Sequence, residues 1–251
     1  MAMPSKPNIL INTLGACSVR VGDAVQQGIP LNFYKIAVFI LLSGQRFIVS
    51  RDTIRHMLWA DLDREKAAAD LRQSLMRIRR MQERLGFRLI ESNMNSVFLV
   101  DDPNVSWDLR AFVVHMDTTG SFSDISYPGE LLSDIPYSGN EFEDWLAEQR
   151  QGLRSQAIEH LSSAIADEVG TDKEWRYKYA RNLLKIDPCH EEAYRLLMIK
   201  AASNRDFSQL EYLYTRCERH LASDLGIRVS LETRSLYSGL KRAAPSPLEI
   251  R

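Results

Sequence analysis

The spacing of apolar and polar positions changes several times along the chain, and each change marks a boundary between elements. Ile9 to Leu14 and Cys17 to Val21 alternate, a turn falls at Gly22-Asp23, and Ala24-Val25-Gln26 returns, which predicts a small antiparallel meander. From Asn32 to Leu42 the residues Phe33, Ile36, Ala37, Ile40 and Leu41 recur at helical spacing, with Gly44 placed for a left-handed C-terminal stop. Phe47-Ile48-Val49 is a short β-prone run. Ser50 then caps a brief second helix with Thr53 at N3 and an inner face of Ile54, Met57 and Leu58. A third helix runs from Arg64 to Leu85, where Ala68, Leu71, Leu75, Ile78 and Leu85 fall in one sector at ~100° per residue, and Gly86 stops it. Phe87 to Glu91 and Val97 to Val100 are β-prone, joined by Ser92-Asn93-Met94-Asn95-Ser96. Because asparagine tolerates left-handed conformations, this predicts a hairpin.

After Asp101-Asp102-Pro103 the pattern becomes almost wholly helical. Trp107 to Met116 reads as a helix, and Thr118 to Asn140 as irregular, with a short helix at Glu130 to Leu132. A stripe of Phe142, Trp145, Leu146, Leu153, Leu161 and Ile165 marks a helix from Glu141 to Glu168. Trp175 to Ile186, Glu191 to Ala202, Phe207 to Leu225 and Leu231 to Leu240 then alternate as helical hairpins, broken at Asp187-Pro188, Ser203-Asn204 and Gly226. Helices of this length with short turns resemble tetratricopeptide-type helix pairs. The expected architecture is an α+β winged helix-turn-helix over residues 1–105 and an all-α tetratricopeptide-like domain over 106–242. Residues 243–251, with Pro245-Ser246-Pro247, form a linker or tail that could lead into a further domain.

Charge sharpens this division. Cut at Val105, the front part carries 14 basic and 10 acidic side chains, and the rest 18 and 23, so a net +4 precedes a net −5. Such a split suits a polyanion-binding module followed by a neutral or acidic one. No apolar run approaches the ~20 residues of a membrane helix, and the N-terminus has no signal-peptide core, so no membrane partner and a cytoplasmic location are expected. Cys17, Cys189 and Cys217 are odd in number and widely spaced, which suits free thiols. The five histidines show no metal-ligand spacing, and no nucleophile elbow, phosphate loop or dinucleotide fingerprint is present. Neither a metal, a cofactor nor an enzyme is expected. Trp59, Trp107, Trp145 and Trp175 sit at apolar faces and read as core. The acidic cluster Glu141-Phe142-Glu143-Asp144 complements a helix N-terminus.

The third helix holds the candidate chemistry. The period that buries its apolar sector turns Arg77, Arg80 and Arg84 outward, with Arg72 and Arg79 on one shoulder and Ser74 on the other. A B-DNA major groove, about 12 Å wide, admits one such helix, and guanidinium groups pair bidentately with guanine edges. Arg51, at the start of the second helix, is placed for phosphate. A basic outward face can equally be solvated surface; three helices ahead of a hairpin favour the winged helix.

The segments LGACSVRVGDAV, KIAVFILLSGQRFIVSRDTIRHMLW and LRQSLMRIRRMQERLG resemble the winged helix of the OmpR/PhoB-like fold. DLRAF, YPGELLSDIP, FEDWLAEQR and the run from NLLKIDPCHEEAYRLLM to HLASDLGIRVSLETRSLY resemble the bacterial transcriptional activator domain that follows it in SARP-type regulators. The resemblance implies base contacts from Arg72, Ser74, Arg77 and Met76, backbone contacts nearer Arg79 and Arg80, and wing contacts from Asn93, Asn95 or Ser96. It also implies double-stranded promoter DNA and RNA polymerase as partners, with a homodimer on repeated sites. The wing carries Asn95-Ser96-Val97-Phe98 where family members carry a Gly-Tyr. That departure is the sequence support for a second reading, a protein-interaction scaffold or relay that works through its helical half.

Overall fold

The computed structural model describes residues 8–44, 46–117, 127–135, 140–166 and 174–242. The chain divides into two compact units, Met1–Leu153 and Arg154–Arg251. None of the described helices is long and apolar enough to cross a membrane.

The first unit opens with the expected meander: β1 (Ile9–Asn12), β2 (Ser18–Val21) and β3 (Ala24–Val25). Alternation buries Ile9, Ile11 and Val19 on one face. There follow α1 (Leu31–Ser43), β4 (Ile48–Ser50), α2 (Arg51–Trp59), α3 (Arg64–Leu85), β5 (Ile90–Ser92) and β6 (Ser96–Leu99). The hairpin β5–β6 takes β4 onto its β6 side, in the order β4-β6-β5. The caps were legible: the Ser50 hydroxyl accepts from the Thr53 amide at 3.0 Å, and Gly86 stops α3 at φ 77°. Gly44 differs from expectation. Its backbone is extended at φ −79°, and what it needs is space, since a Cβ there would lie 2.5 Å from the Ile40 carbonyl oxygen. The left-handed residues of that turn are Arg46 and Phe47.

Two further elements correct the sequence reading. Trp107 does not begin a helix. It ends β7 (Val105–Trp107), which pairs in parallel with β1 and completes a sheet of order β3-β2-β1-β7. The division expected at residue 105 therefore falls within a strand pair of the first unit. Helix α4 starts one residue later, at Asp108, and runs to Asp117. No helix forms at Glu130 to Leu132. Leu131 instead bridges Leu14, the Leu132 amide donates to the Thr13 carbonyl at 2.7 Å, and Arg150 donates to the carbonyls of Leu131 and Leu132 at 2.7 and 2.6 Å. Gly15 and Gly129 meet back to back, so close that a Cβ on Gly129 would lie 2.9 Å from the Gly15 Cα. Of the stretch expected to be irregular, residues 118–126 and 136–139 lie outside the described residues, as do Glu168 and the tail.

Asp108 ties the sheet end to α4. Its carboxylate accepts from the Thr13 amide at 2.9 Å, the Thr13 hydroxyl at 3.0 Å and the Leu14 amide at 2.9 Å, while the Trp107 indole donates to the Thr13 hydroxyl oxygen at 2.7 Å. Burial raises the Asp108 pKa, and the hydrogen bonds from Leu14, Thr13 and Leu109 offset this only in part. A carboxyl whose folded pKa lies above its unfolded value adds stability below the unfolded pKa and loses it as pH rises through the folded one. In urea unfolding, the stability of the wild type relative to Asp108→Asn is expected to fall as pH rises from about 3 to about 7. A relative stability that climbs over that range would contradict the assignment.

Helix α5 (Glu141–Ala166) begins in the first unit. There the half-buried Trp145 meets the buried rings of Phe39 at a centroid distance of 5.1 Å and Phe142 at 5.4 Å, at the margin of the core and not within it. In its acidic first turn, Glu141 pairs with His56 at 3.3 Å. The second unit holds α6 (Glu174–Ile186), α7 (Glu191–Ser203), α8 (Phe207–Leu225) and α9 (Leu231–Arg242), close to the expected spans. Its core stacks Leu183, Tyr194, Met198, Leu210 and Cys217 between successive helices. Burial pushes the Cys217 thiol up to about 12, which keeps it protonated and unreactive.

Candidate nucleic-acid interface

Helix α3 is amphipathic with a wider buried sector than its leucines alone suggest. Ala67, Leu71, Ser74, Leu75, Ile78, Met81 and Gln82 all face inward. Gln82 is 3% exposed, and its side-chain oxygen accepts from the amides of Leu89 and Ile90 at 3.0 and 2.9 Å while its nitrogen donates to the Ile90 carbonyl at 3.0 Å. One carboxamide thus satisfies backbone groups at the entry to β5, the edge strand of the wing sheet. Ser74 corrects the sequence reading. It lies between Leu71 and Ile78 in the core-facing sector, is 8% exposed, and accepts from the Asn32 amide nitrogen at 2.8 Å. It therefore anchors α3 to α1 and presents no hydroxyl to a groove.

The outward face carries Arg72, Met76, Arg77, Arg79, Arg80 and Arg84, all exposed. They differ in freedom. Arg79 donates to Glu83 at 2.9 Å, and this bond, then the charges of Glu83 and Glu91, hold its pKa above the ordinary arginine value. Arg72, Arg77, Arg80 and Arg84 form no ion pair among the described residues. Met76 stands among them at 45% exposure.

Beside this face rises the wing. The expected hairpin forms, but without left-handed asparagines: neither Asn93 nor Asn95 has a positive φ. The Asn93 side-chain oxygen accepts from the amides of Asn95 and Ser96 at 2.9 and 2.8 Å, closing the turn through a side chain. The carbonyl of Asn95 is taken by the Arg51 amide at 2.9 Å, and Ser96 pairs with Ser50 in the β4–β6 register. The tip itself is Met94, 93% exposed, which polarity-based reading passed over. Arg51 reaches from the first turn of α2 to the Ser92 hydroxyl at 3.4 Å, so helix start and wing are joined at their common edge. Arg51, Asn93, Asn95 and Ser96 thus gather at one end of the unit around the wing.

Residues 126–241 match the bacterial transcriptional activator domain. In fold the chain is similar to Mycobacterium tuberculosis EmbR, solved in complex with a low affinity phosphopeptide, at TM-score 0.50 and 20% identity, covering 96% of this chain and 66% of that one. It therefore spans just under two thirds of the EmbR chain. No curated protein matches the sequence. A winged helix followed by a segment similar to the activator domain resembles the architecture of SARP-type transcriptional regulators.

Two motifs of the activator domain acquire physical reasons. YPGELL supplies the strand-like stretch beside Thr13 to Gly15, where Gly129 leaves room for Gly15. DLGIRVSLET turns α8 into α9: Gly226 takes a left-handed stop at φ 67°, the Ile227 amide returns to the Leu221 carbonyl at 3.1 Å, and Val229 buries. The Ser230 hydroxyl then donates to the Glu191 carboxylate at 2.6 Å. Burial would raise Glu191, but hydrogen bonds from Ser230 and Thr233 outweigh it and hold the carboxyl below its ordinary value.

Proposed function

We propose that the protein is a sequence-specific DNA-binding activator: α3 enters the major groove of promoter DNA, Arg51 and the wing hold the flanking backbone, and the activator domain contacts RNA polymerase. Arg77 and Arg72 read base edges beside Met76, and Arg80, which unlike Arg79 has no ion pair among the described residues, joins them in place of the backbone role that the resemblance gives it. Arg79 and Arg84 follow phosphates, and Asn93, Asn95 and Ser96 flank the minor groove. Two copies bind a direct repeat. The reading part lies within residues 1–105 and the activating part within 106–242. The observation that carries this reading is the row of guanidinium groups without carboxylate partners on the outward face of α3, next to a projecting wing. An unpaired guanidinium pays no cost of breaking an internal ion pair when it meets a base or phosphate.

Fluorescence anisotropy on fragments of the promoters recovered by immunoprecipitation tests it. Affinity is expected to fall by about tenfold or more between roughly 50 and 200 mM salt, as several phosphate contacts require. Specific fragments are expected to outcompete random duplex at every salt concentration. Absence of both the salt dependence and the sequence preference would leave the activator domain as the working part and the winged helix as its support.

A further inference from the structure

The helical unit carries a second chemically distinctive surface. Between α6, α7 and α8 lies an open groove of about 560 Å³. Its floor is aliphatic, built from Leu184, Leu197 and Leu213, and the half-exposed ring of Tyr212 stands at its side. Three cations line it, one from each helix: Arg181, Lys200 and Arg216. The two acids at its rim are already engaged. Glu174 pairs with Lys200, and Asp206 caps α8 by accepting from the Gln209 amide at 2.9 Å. Arg181 and Arg216 meet no carboxylate among the described residues.

We propose that this groove binds an acidic, extended segment of a partner protein, its carboxylates on Arg181 and Arg216 and its aliphatic side chains on the floor between Leu197 and Leu213. Guanidinium groups recognise carboxylates bidentately, and an apolar floor between them selects a peptide over a free anion. The surroundings favour the same ligand. Residues 106–251 carry a net −5, whereas the groove's lining sets Arg181, Lys200 and Arg216 against Glu174 and Asp206, so local charge complementarity holds an acidic segment at the groove and not on the acidic surface around it. The inference rests on the helical unit alone and stands apart from the DNA reading.

The test uses the full chain and a fluorescein-labelled peptide of alternating Asp, Glu and Leu, followed by anisotropy. Saturable binding is expected with a Kd of about 10–100 µM, weakening as salt is added. The double variant Arg181→Glu/Arg216→Glu is expected to bind at least about tenfold more weakly while keeping its circular dichroism and its promoter affinity. Should that variant misfold, Arg181→Gln/Arg216→Gln removes the charges without reversing them and is expected to lose most of the affinity. A peptide with Lys in place of every acid is expected not to bind. Equal affinity of wild type and a folded double variant, no saturation by about 1 mM, or equal binding of the lysine peptide would each overturn the proposal. Promoter binding that is lost in the wild type while peptide binding persists would count against the DNA reading only.

Discussion

Replacing Gln82 by leucine is expected to destabilise the first unit by roughly 3 kcal/mol, a large share of the ~5–15 kcal/mol that holds a domain folded. The size follows from what the carboxamide touches. Leucine fills nearly the same volume and costs little in packing, but it leaves the Leu89 and Ile90 amides and the Ile90 carbonyl without their partner. A buried backbone group left unpaired costs about 1–3 kcal/mol, and the three are not fully additive because the edge strand can shift toward water. Urea unfolding followed by far-ultraviolet circular dichroism measures the loss. Amide hydrogen exchange should show faster exchange concentrated at β5 and β6. Gln82→Glu provides an internal check, because a protonated glutamic acid can again donate to the Ile90 carbonyl while the carboxylate cannot. Its stability is expected to improve as pH falls, since burial raises the pKa of such a group. A leucine variant as stable as the wild type would mean that β5 does not depend on α3.

The second large effect concerns the proposed DNA contacts. The double variant Arg77→Ala/Arg80→Ala is expected to weaken binding to a specific promoter fragment by about a hundredfold or more, since each base-edge pair is worth roughly 1–3 kcal/mol. Both side chains are exposed and without ion pairs among the described residues, so folding stability should change little. Arg79→Ala is the instructive comparison. Its guanidinium is bound to Glu83, and DNA would have to compete with that bond, so a smaller loss, below about tenfold, is expected. Anisotropy titrations on the specific fragment and on random duplex separate the two components. Loss on the specific fragment alone assigns Arg77 and Arg80 to base edges, whereas equal loss on both assigns them to phosphates. Unchanged affinity in the double variant would remove α3 from the interface.

The same helix shows how far residue patterns reach. Its limits, its C-terminal stop and its basic face were legible because they depend on neighbours within a few positions: Gly86 ends it, and period 3.6 sorts the leucines from the arginines. The structure adds Asp63, which caps the start with bonds to the Glu65 and Lys66 amides. Ser74 and Gln82 were misplaced or missed for one reason. Both occupy core-facing positions, three after Leu71 and four after Ile78, where the helical period indicates the core and side-chain polarity indicates solvent. A strict reading by period finds them. It cannot say what their polar atoms meet, because Asn32 lies 42 residues from Ser74 and the partners of Gln82 belong to another element.

The sequence by itself determined the order of elements, the winged-helix and helical classes, the family resemblance and the exposed arginines of α3, all carried by local period, capping chemistry and contiguous motifs. Only the tertiary structure decided that Val105–Trp107 completes the first sheet, that YPGELL lies against Thr13 to Gly15, that Asp108 anchors the sheet end, and that Arg181 and Arg216 share one groove. Each of these depends on hydrogen bonds or electrostatic fields between residues distant in the chain. Their pairing is set by which buried backbone and side-chain groups must find a partner once water is excluded, a condition that exists only in the folded molecule.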